Sequence, residues 1–172
     1  MTQFIKPIGD LLNSTFELVG ASTIWEATDD GIDSGTPDDD TTKAAADTVG
    51  DFFVVTLSPA MLDPHTRASH ILKVRVKEVR DSGAGTVNIR LRQGAVQIVS
   101  TNFGLGTAWT TVSITLTNAQ ADALTNYADL EARVAYSVKG VNGVLHVSAV
   151  EFQCPDPSLD SYAAPAEMGH AV

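Results

Sequence analysis

From Phe52 onward the chain alternates apolar and polar residues with a period of two, clearest at Leu72-Lys-Val-Arg-Val76, Val87-Asn-Ile-Arg-Leu91, Val112-Ser-Ile-Thr-Leu116 and across residues 130–138. Successive side chains of an extended strand point to opposite faces, so this pattern specifies strands with one face buried and the other in water. Further strands are expected at 14–19, 23–28, 52–57, 95–101 and 144–152, divided by turn segments such as Asp81-Ser-Gly-Ala-Gly85, Gln93-Gly94 and Lys139-Gly-Val-Asn-Gly143. Many short strands between turns predict an all-β fold, an antiparallel β-sandwich. One segment departs from the period. Thr117 stands three residues before Gln120, the spacing of a capping box, and good helix formers follow, so a short helix is expected at about 118–124.

The 172 residues are 44% hydrophobic, enough for one self-sufficient core. The expected organisation is an N-terminal arm over 1–13, a sandwich over 14–154 and a C-terminal arm over 155–172, because strand patterning is poor at both ends. Pro7 and Asp10 interrupt what a signal peptide keeps apolar, and no run is long enough to span a membrane, so neither export by a leader nor a membrane span is expected. The single Cys154 has no partner for an intrachain disulfide and is expected to be a packed free thiol closing the last strand.

Charge is distributed unevenly. Residues 1–63 hold 12 acids and 2 bases, residues 64–154 hold 6 acids and 9 bases, and residues 155–172 hold 3 acids, for a net charge of −10. A surface this acidic repels phosphate backbones, so nucleic acid is excluded as a partner. The acidic stretch Asp29–Asp47 reads as a long exposed loop. Asp29, Asp33 and Asp40 fall on three ligand positions of a calcium loop, but Gly31 and Ser34 stand where a further ligand and the turn glycine are needed, and the EF-hand reading fails.

Other chemical motifs fare no better. Gly83-Ala-Gly85 lacks the third glycine of a dinucleotide fingerprint and leads into a strand, so a hairpin turn is expected there. His65, His70, His146 and His170 show no metal-ligand spacing, and no nucleophile elbow occurs. No cofactor and no catalytic residue is therefore expected. Two rows of outward residues stand out: Lys73, Arg75 and Lys77 on one strand, with Asn88, Arg90 and Arg92 on the next. If a hairpin joins them, the cations share one sheet face, where like charges side by side call for an acidic partner. Trp25, Trp109, Tyr127 and Tyr136 could instead form a sugar-stacking platform.

Over about 21–138 the chain resembles a β-sandwich domain that recurs among structural proteins of tailed bacteriophages. The resemblance is carried by Ile24-Trp-Glu-Ala-Thr-Asp-Asp30, Thr36-Pro-Asp-Asp-Asp40, His70-Ile-Leu-Lys-Val-Arg-Val76, residues 85–94, Thr107-Ala-Trp-Thr-Thr111, residues 116–124 and Tyr127-Ala-Asp-Leu130. It implies a jelly-roll-like domain on the outside of the phage head, a decoration or cement protein. The implied partner is the major capsid protein, bound by a homo-oligomer, a trimer first. No catalytic residue comes with it. The arms lie largely outside the match, and attachment is expected there, through Phe4, Ile5, Ile8, Leu11 and Leu12 at one end and Leu159 and Tyr162 at the other, since apolar side chains are costly to leave in water. The alternatives are a carbohydrate-binding adhesin or tail-fibre accessory recognising host glycans, and last a glycan-degrading enzyme, which needs two converging carboxylates.

Overall fold

The computed structural model describes residues 2–58, 63–64 and 66–157, so Leu159 and Tyr162 lie outside the described residues. Among the described residues, eleven strands, one short α-helix and a 3-10 turn (Tyr127–Asp129) are formed, the strands and α-helix in the order β1 (Thr2–Ile5), β2 (Pro7–Asn13), β3 (Glu17–Val19), β4 (Lys43–Ala46), β5 (Phe52–Leu57), β6 (Ile71–Val79), β7 (Thr86–Gln93), β8 (Val96–Gly104), β9 (Thr110–Thr115), α1 (Asn118–Asp122), β10 (Leu130–Val138) and β11 (Val144–Pro155). They make two antiparallel sheets, the jelly-roll-like sandwich expected. One has the order β3-β4-β11-β6-β9, with β1 also pairing β11, and the other the order β2-β5-β10-β7-β8.

The alternation does what it predicts. Leu72, Val74 and Val76 of β6, Val87, Ile89 and Leu91 of β7, and Ala132, Val134 and Tyr136 of β10 point inward and are buried against Phe53, Leu145 and Phe152. Each large apolar side chain removed from water this way contributes roughly 1.5–3 kcal/mol before ordering costs. Cys154 is free and buried at the end of β11, and burial pushes its thiol up to about 12, so it packs as a small apolar group. The capping box at Thr117 and Gln120 forms, and α1 follows it.

Four expectations need correction. Residues 1–13 are not an arm: β1 pairs with the end of β11, β2 is the edge strand beside β5, and Ile5 belongs to the core. Their short alternation is irregular because β2 carries two register shifts against β5. Residues 23–28 are not a strand but tight turns. The Asp10 carboxylate accepts the N–H groups of Ile24 (2.9 Å) and Trp25 (2.7 Å), and the Ala27 N–H donates to the Thr23 carbonyl (3.1 Å). That winding buries Ile24 and Ala27, three residues apart, on one side. The acidic loop ends earlier than expected, since residues 43–46 form β4 on β11.

The fourth correction concerns residues 80–85, which make no hairpin. They carry the chain from one sheet to the other: β6 pairs with β11 and β9, whereas β7 pairs with β10 and β8. The crossing is anchored by Glu78, fully buried on the inward phase of β6. Its carboxylate accepts the N–H groups of Gly85 (2.9 Å) and Gly140 (2.8 Å), the Tyr136 hydroxyl and the Arg80 guanidinium. Burial alone raises its pKa, but the bonds from Tyr136, Gly140, Gly85 and Arg80 outweigh it and hold the carboxyl below its usual value. Glycine is required at 83, where φ is +75°.

Candidate functional site

Because of that crossing, the two cationic rows lie on opposite outer faces of the sandwich. On the six-stranded sheet, Lys73, Arg75 and Lys77 meet the acidic loop of their own chain. Arg75 forms a two-pronged bond with Asp39 (Nε–Oδ1 2.6 Å, Nη2–Oδ2 2.8 Å), and the Ser148 hydroxyl donates to the same carboxylate at 3.0 Å. Lys77 reaches Asp40 at 2.7 Å and lies 4.6 Å over the Trp109 ring, while Lys73 is bonded to Asp33 and, at 3.0 Å, to Gln153. The loop is pinned by Glu151 of β11. This buried carboxylate accepts the N–H groups of Ile32 (3.1 Å), Asp33 (3.0 Å) and Ser34 (3.2 Å), and the Ser34 hydroxyl as well.

The expected acidic partner of this row is thus intramolecular, and the loop is a cover in place of a solvated excursion. Its bonds set the carboxyls: the Arg75 guanidinium holds Asp39 below the ordinary value, and the Lys77 and Lys43 ammonium groups do the same for Asp40. Asp33 is spent on Lys73 and Asp40 on Lys77 and Lys43, and among the described residues no group of three or more His, Cys, Asp or Glu side chains is placed to hold a metal ion.

The five-stranded sheet is different. The register sets Arg133 of β10 opposite Arg90 of β7, and Glu131 opposite Arg92. Arg92 and Glu131 pair at 3.2 Å. Arg90 and Arg133 have no carboxylate among the described residues. The Arg90 Nε–H donates to Asn88 Oδ1 (2.7 Å), and the Asn88 amide donates to Ser100 Oγ (3.0 Å) and Asn102 Oδ1 (2.8 Å) on β8. The Arg133 guanidinium carbon lies over the Phe52 ring, 4.2 Å from its centre. Partial burial, then the charges of Arg90 and Arg92, lower the pKa of Arg133, which nonetheless stays cationic. Asn88, Arg90, Asn102 and Arg133, together with Ser137, Val49 and Gly50, line an open cleft of about 430 Å³, within the size range of small-ligand sites.

A second, more apolar hollow of about 370 Å³ adjoins the same face at Leu11, Leu12 and Val54, beside Arg92 and Glu131. Leu11, Leu12 and Ile8 are about half exposed and Phe4 is 39% exposed, whereas Ile5 is buried. The structure therefore groups Leu11 and Leu12 with Arg92, separates them from Lys73, Arg75 and Lys77, and leaves Ile5 to the core. Of the aromatics expected to form a stacking platform, Tyr127 and Tyr136 are buried, Trp25 packs against the core and Trp109 lies under Lys77 on the opposite sheet. They do not form one. Sequence reasoning missed Arg133, Asn102, Glu78 and Glu151. Arg133 has a signal in the outward phase of the 130–138 alternation, and Glu78 in the inward phase of β6.

No protein-family model and no curated protein sequence matches the chain. Solved structures do. The CBM36-1 domain of a multidomain xylanase from the hindgut metagenome of Trinervitermes trinervoides superposes with a TM-score of 0.50 at 9% identity, over 92% of this chain and all of that one. The Agl-KA catalytic domain superposes with a TM-score of 0.52 at 11% identity, over 96% of this chain, which spans 29% of that larger one. The likeness is one of fold. Fold alone does not assign function, which rests on the site.

Proposed function

We propose that this chain is a non-catalytic carbohydrate-binding module whose ligand lies in the cleft on the outer face of the five-stranded sheet. The carrying observation is the lining itself: amides, guanidinium groups and a hydroxyl from Asn88, Arg90, Asn102, Arg133 and Ser137, presented by neighbouring strands together with Val49 and Gly50. Sugars are recognised by hydrogen bonds to several hydroxyls at fixed positions, and side chains on paired strands hold such positions better than loops do. With no stacking platform, affinity comes from these polar contacts and from the guanidinium planes. The lining includes no carboxylate, whereas glycoside hydrolysis uses a pair of them, which favours binding over cleavage. The same sandwich architecture is used by the xylanase-associated CBM36-1 module.

Isothermal titration of the full chain against a panel of oligosaccharides tests this reading. Asn102→Ala is expected to weaken binding about 5–10-fold, the loss of one or two hydrogen bonds, with an unchanged circular dichroism spectrum. Binding that survives Asn102→Ala and Arg90→Ala together places the ligand elsewhere.

A second reading, a structural component on the outside of a virus particle, is favoured by the apolar edge of β2. Ile8, Leu11 and Leu12 are 49%, 48% and 54% exposed on a strand whose far side has no neighbour in the sheet among the described residues. Open edges and apolar patches are where protein partners add. Leu11→Ser with Leu12→Ser tests it, because these substitutions remove the patch and keep the strand. Deleting residues 1–12 does not test it, since that strips an edge from both sheets.

A further inference from the structure

The two guanidinium groups in the cleft are more than neutral hydroxyls require. The chain has 21 acidic residues against 11 Lys and Arg, yet Arg90 and Arg133 stand directly opposite each other with no carboxylate partner among the described residues. One strand position away, Arg92 has Glu131, and every cation of the β6 row has an aspartate. Like charges placed opposite each other across a ladder are destabilising, so this pair is held at a cost that an anion bound between them relieves. The pair is also preorganised. Asn88, itself fixed by Ser100 and Asn102, takes the Nε–H of Arg90, and that leaves the terminal Nη groups of Arg90 free to donate. The guanidinium of Arg133 is seated over the Phe52 ring, 4.2 Å from its centre. A fixed guanidinium with open Nη donors matches a planar carboxylate in a two-pronged bond.

We infer that the sugar taken by this cleft carries a carboxylate, so that the ligand class is an acidic glycan containing uronic-acid units, held at its carboxylate by Arg90 and Arg133. The inference rests on the carbohydrate reading above and narrows it. A glycan is favoured over the acidic side chain of a partner protein because the guanidinium groups lie in a cleft of about 430 Å³ that also presents Asn102 and Ser137, which an aspartate tip alone does not fill. Val49 and Gly50 complete the lining.

The test compares a galacturonic-acid tetrasaccharide with its carboxyl-reduced counterpart, and a poly-glutamate peptide, by isothermal titration against the full chain. The acidic sugar is expected to bind at least about 10-fold more tightly than the reduced one, the worth of one charge-assisted hydrogen-bond pair. Arg90→Gln and Arg133→Gln are expected to remove that difference with no loss of thermal stability. Equal binding of the acidic and reduced sugars overturns the inference and leaves the carbohydrate reading standing. Binding of the peptide alone, lost in both variants, overturns both and assigns the face to an acidic protein. No binding by any of the three probes overturns the inference, and the oligosaccharide panel then decides the carbohydrate reading. The wild-type comparison needs no variant, so misfolding of a mutant cannot obscure the result.

Discussion

The β6 row Lys73, Arg75, Lys77 and the β7 row Asn88, Arg90, Arg92 have the same period and similar composition, and both face outward, yet they end in opposite states. The first is covered by residues 29–42 of its own chain, with an aspartate on every cation. The second is open, with one ion pair and two arginines facing each other. Strand pattern decides that a cation points outward. Whether it meets a carboxylate is decided by segments far away in sequence. A covered row is a stability device, and an open row in an acidic chain is where a ligand is to be sought.

The comparison breaks most directly at Glu151. Replacing it by alanine leaves three backbone N–H groups and the Ser34 hydroxyl without their acceptor, at a cost of about 3 kcal/mol. Urea unfolding measures that loss, and limited proteolysis reads the loop. Cleavage within 32–42 is expected to become fast, turning the covered face into a second open one. A loop that stays protected shows that the aspartate–cation bonds hold it without Glu151.

Acid attacks the same cover more gradually. Asp39 is held below its ordinary value of 3.8 by Arg75, Asp40 by Lys77 and Lys43, and Glu78 below 4.5 by its four donors in spite of burial. Carboxyls depressed in the folded state stabilise it above their unfolded values, and that contribution is lost as pH falls through the folded ones. His146 acts in the same direction. Burial, then Lys43 and Lys77, bring it from 6.5 to about 4, so between those values the unfolded chain takes up a proton that the folded chain refuses. Asp30 and Glu131 oppose the trend, because burial raises both and protonation relieves them. The melting temperature is expected to decline from pH 6.5 to 4 and to fall more steeply below 4. A flat profile shows that these shifted groups together contribute nothing net to stability.

How much of this is legible in the sequence follows from where the information sits. Period-two alternation is local, so the inward residues of β6, β7 and β10 and the capping box at Thr117 can be read directly. Residues 23–28 mislead, because their winding is imposed by Asp10, more than a dozen residues away. The crossing at 80–85 misleads for the same reason: Glu78 gathers Gly85 and Gly140, and no pattern within 72–91 reports Gly140. The candidate site is therefore half legible. Arg90 is visible as an outward cation, but its pairing with Arg133 depends on a register between strands some 40 residues apart. Glu151 is least legible, since the register shift between Val147 and Ala149 changes the phase of β11 before it.

A single link in the cover gives a smaller effect. Asp39→Asn keeps the shape of the side chain but loses the charge that Arg75 grips in two places, while Ser148 keeps a partner. A partly exposed pair of this geometry contributes about 1 kcal/mol, and that is the expected loss in urea unfolding. Asn at 39 also tolerates the local φ of +52°, so backbone strain does not confound the result.

The smallest expected effect carries the most information about the open face. Arg133→Gln removes a cation whose nearest charged neighbours, Arg90 and Arg92, are cations too. The loss of packing on Phe52 is offset by relief of repulsion, and opposite like charges in a sheet are worth only a few tenths of a kcal/mol, so the net change in stability is expected to lie within about 0.5 kcal/mol of zero. Arg75→Gln, at the matched position of the covered row, strands Asp39 and is expected to cost about 1 kcal/mol. The pair of variants is a direct measure of the difference between the faces. If Arg133→Gln destabilises as much as Arg75→Gln, Arg133 is a structural residue held by Phe52, and the reason for treating the open row as a binding site is gone. If it is neutral for folding, the arginine is retained in an unfavourable electrostatic setting without structural return, which is the condition expected of a residue kept for a ligand.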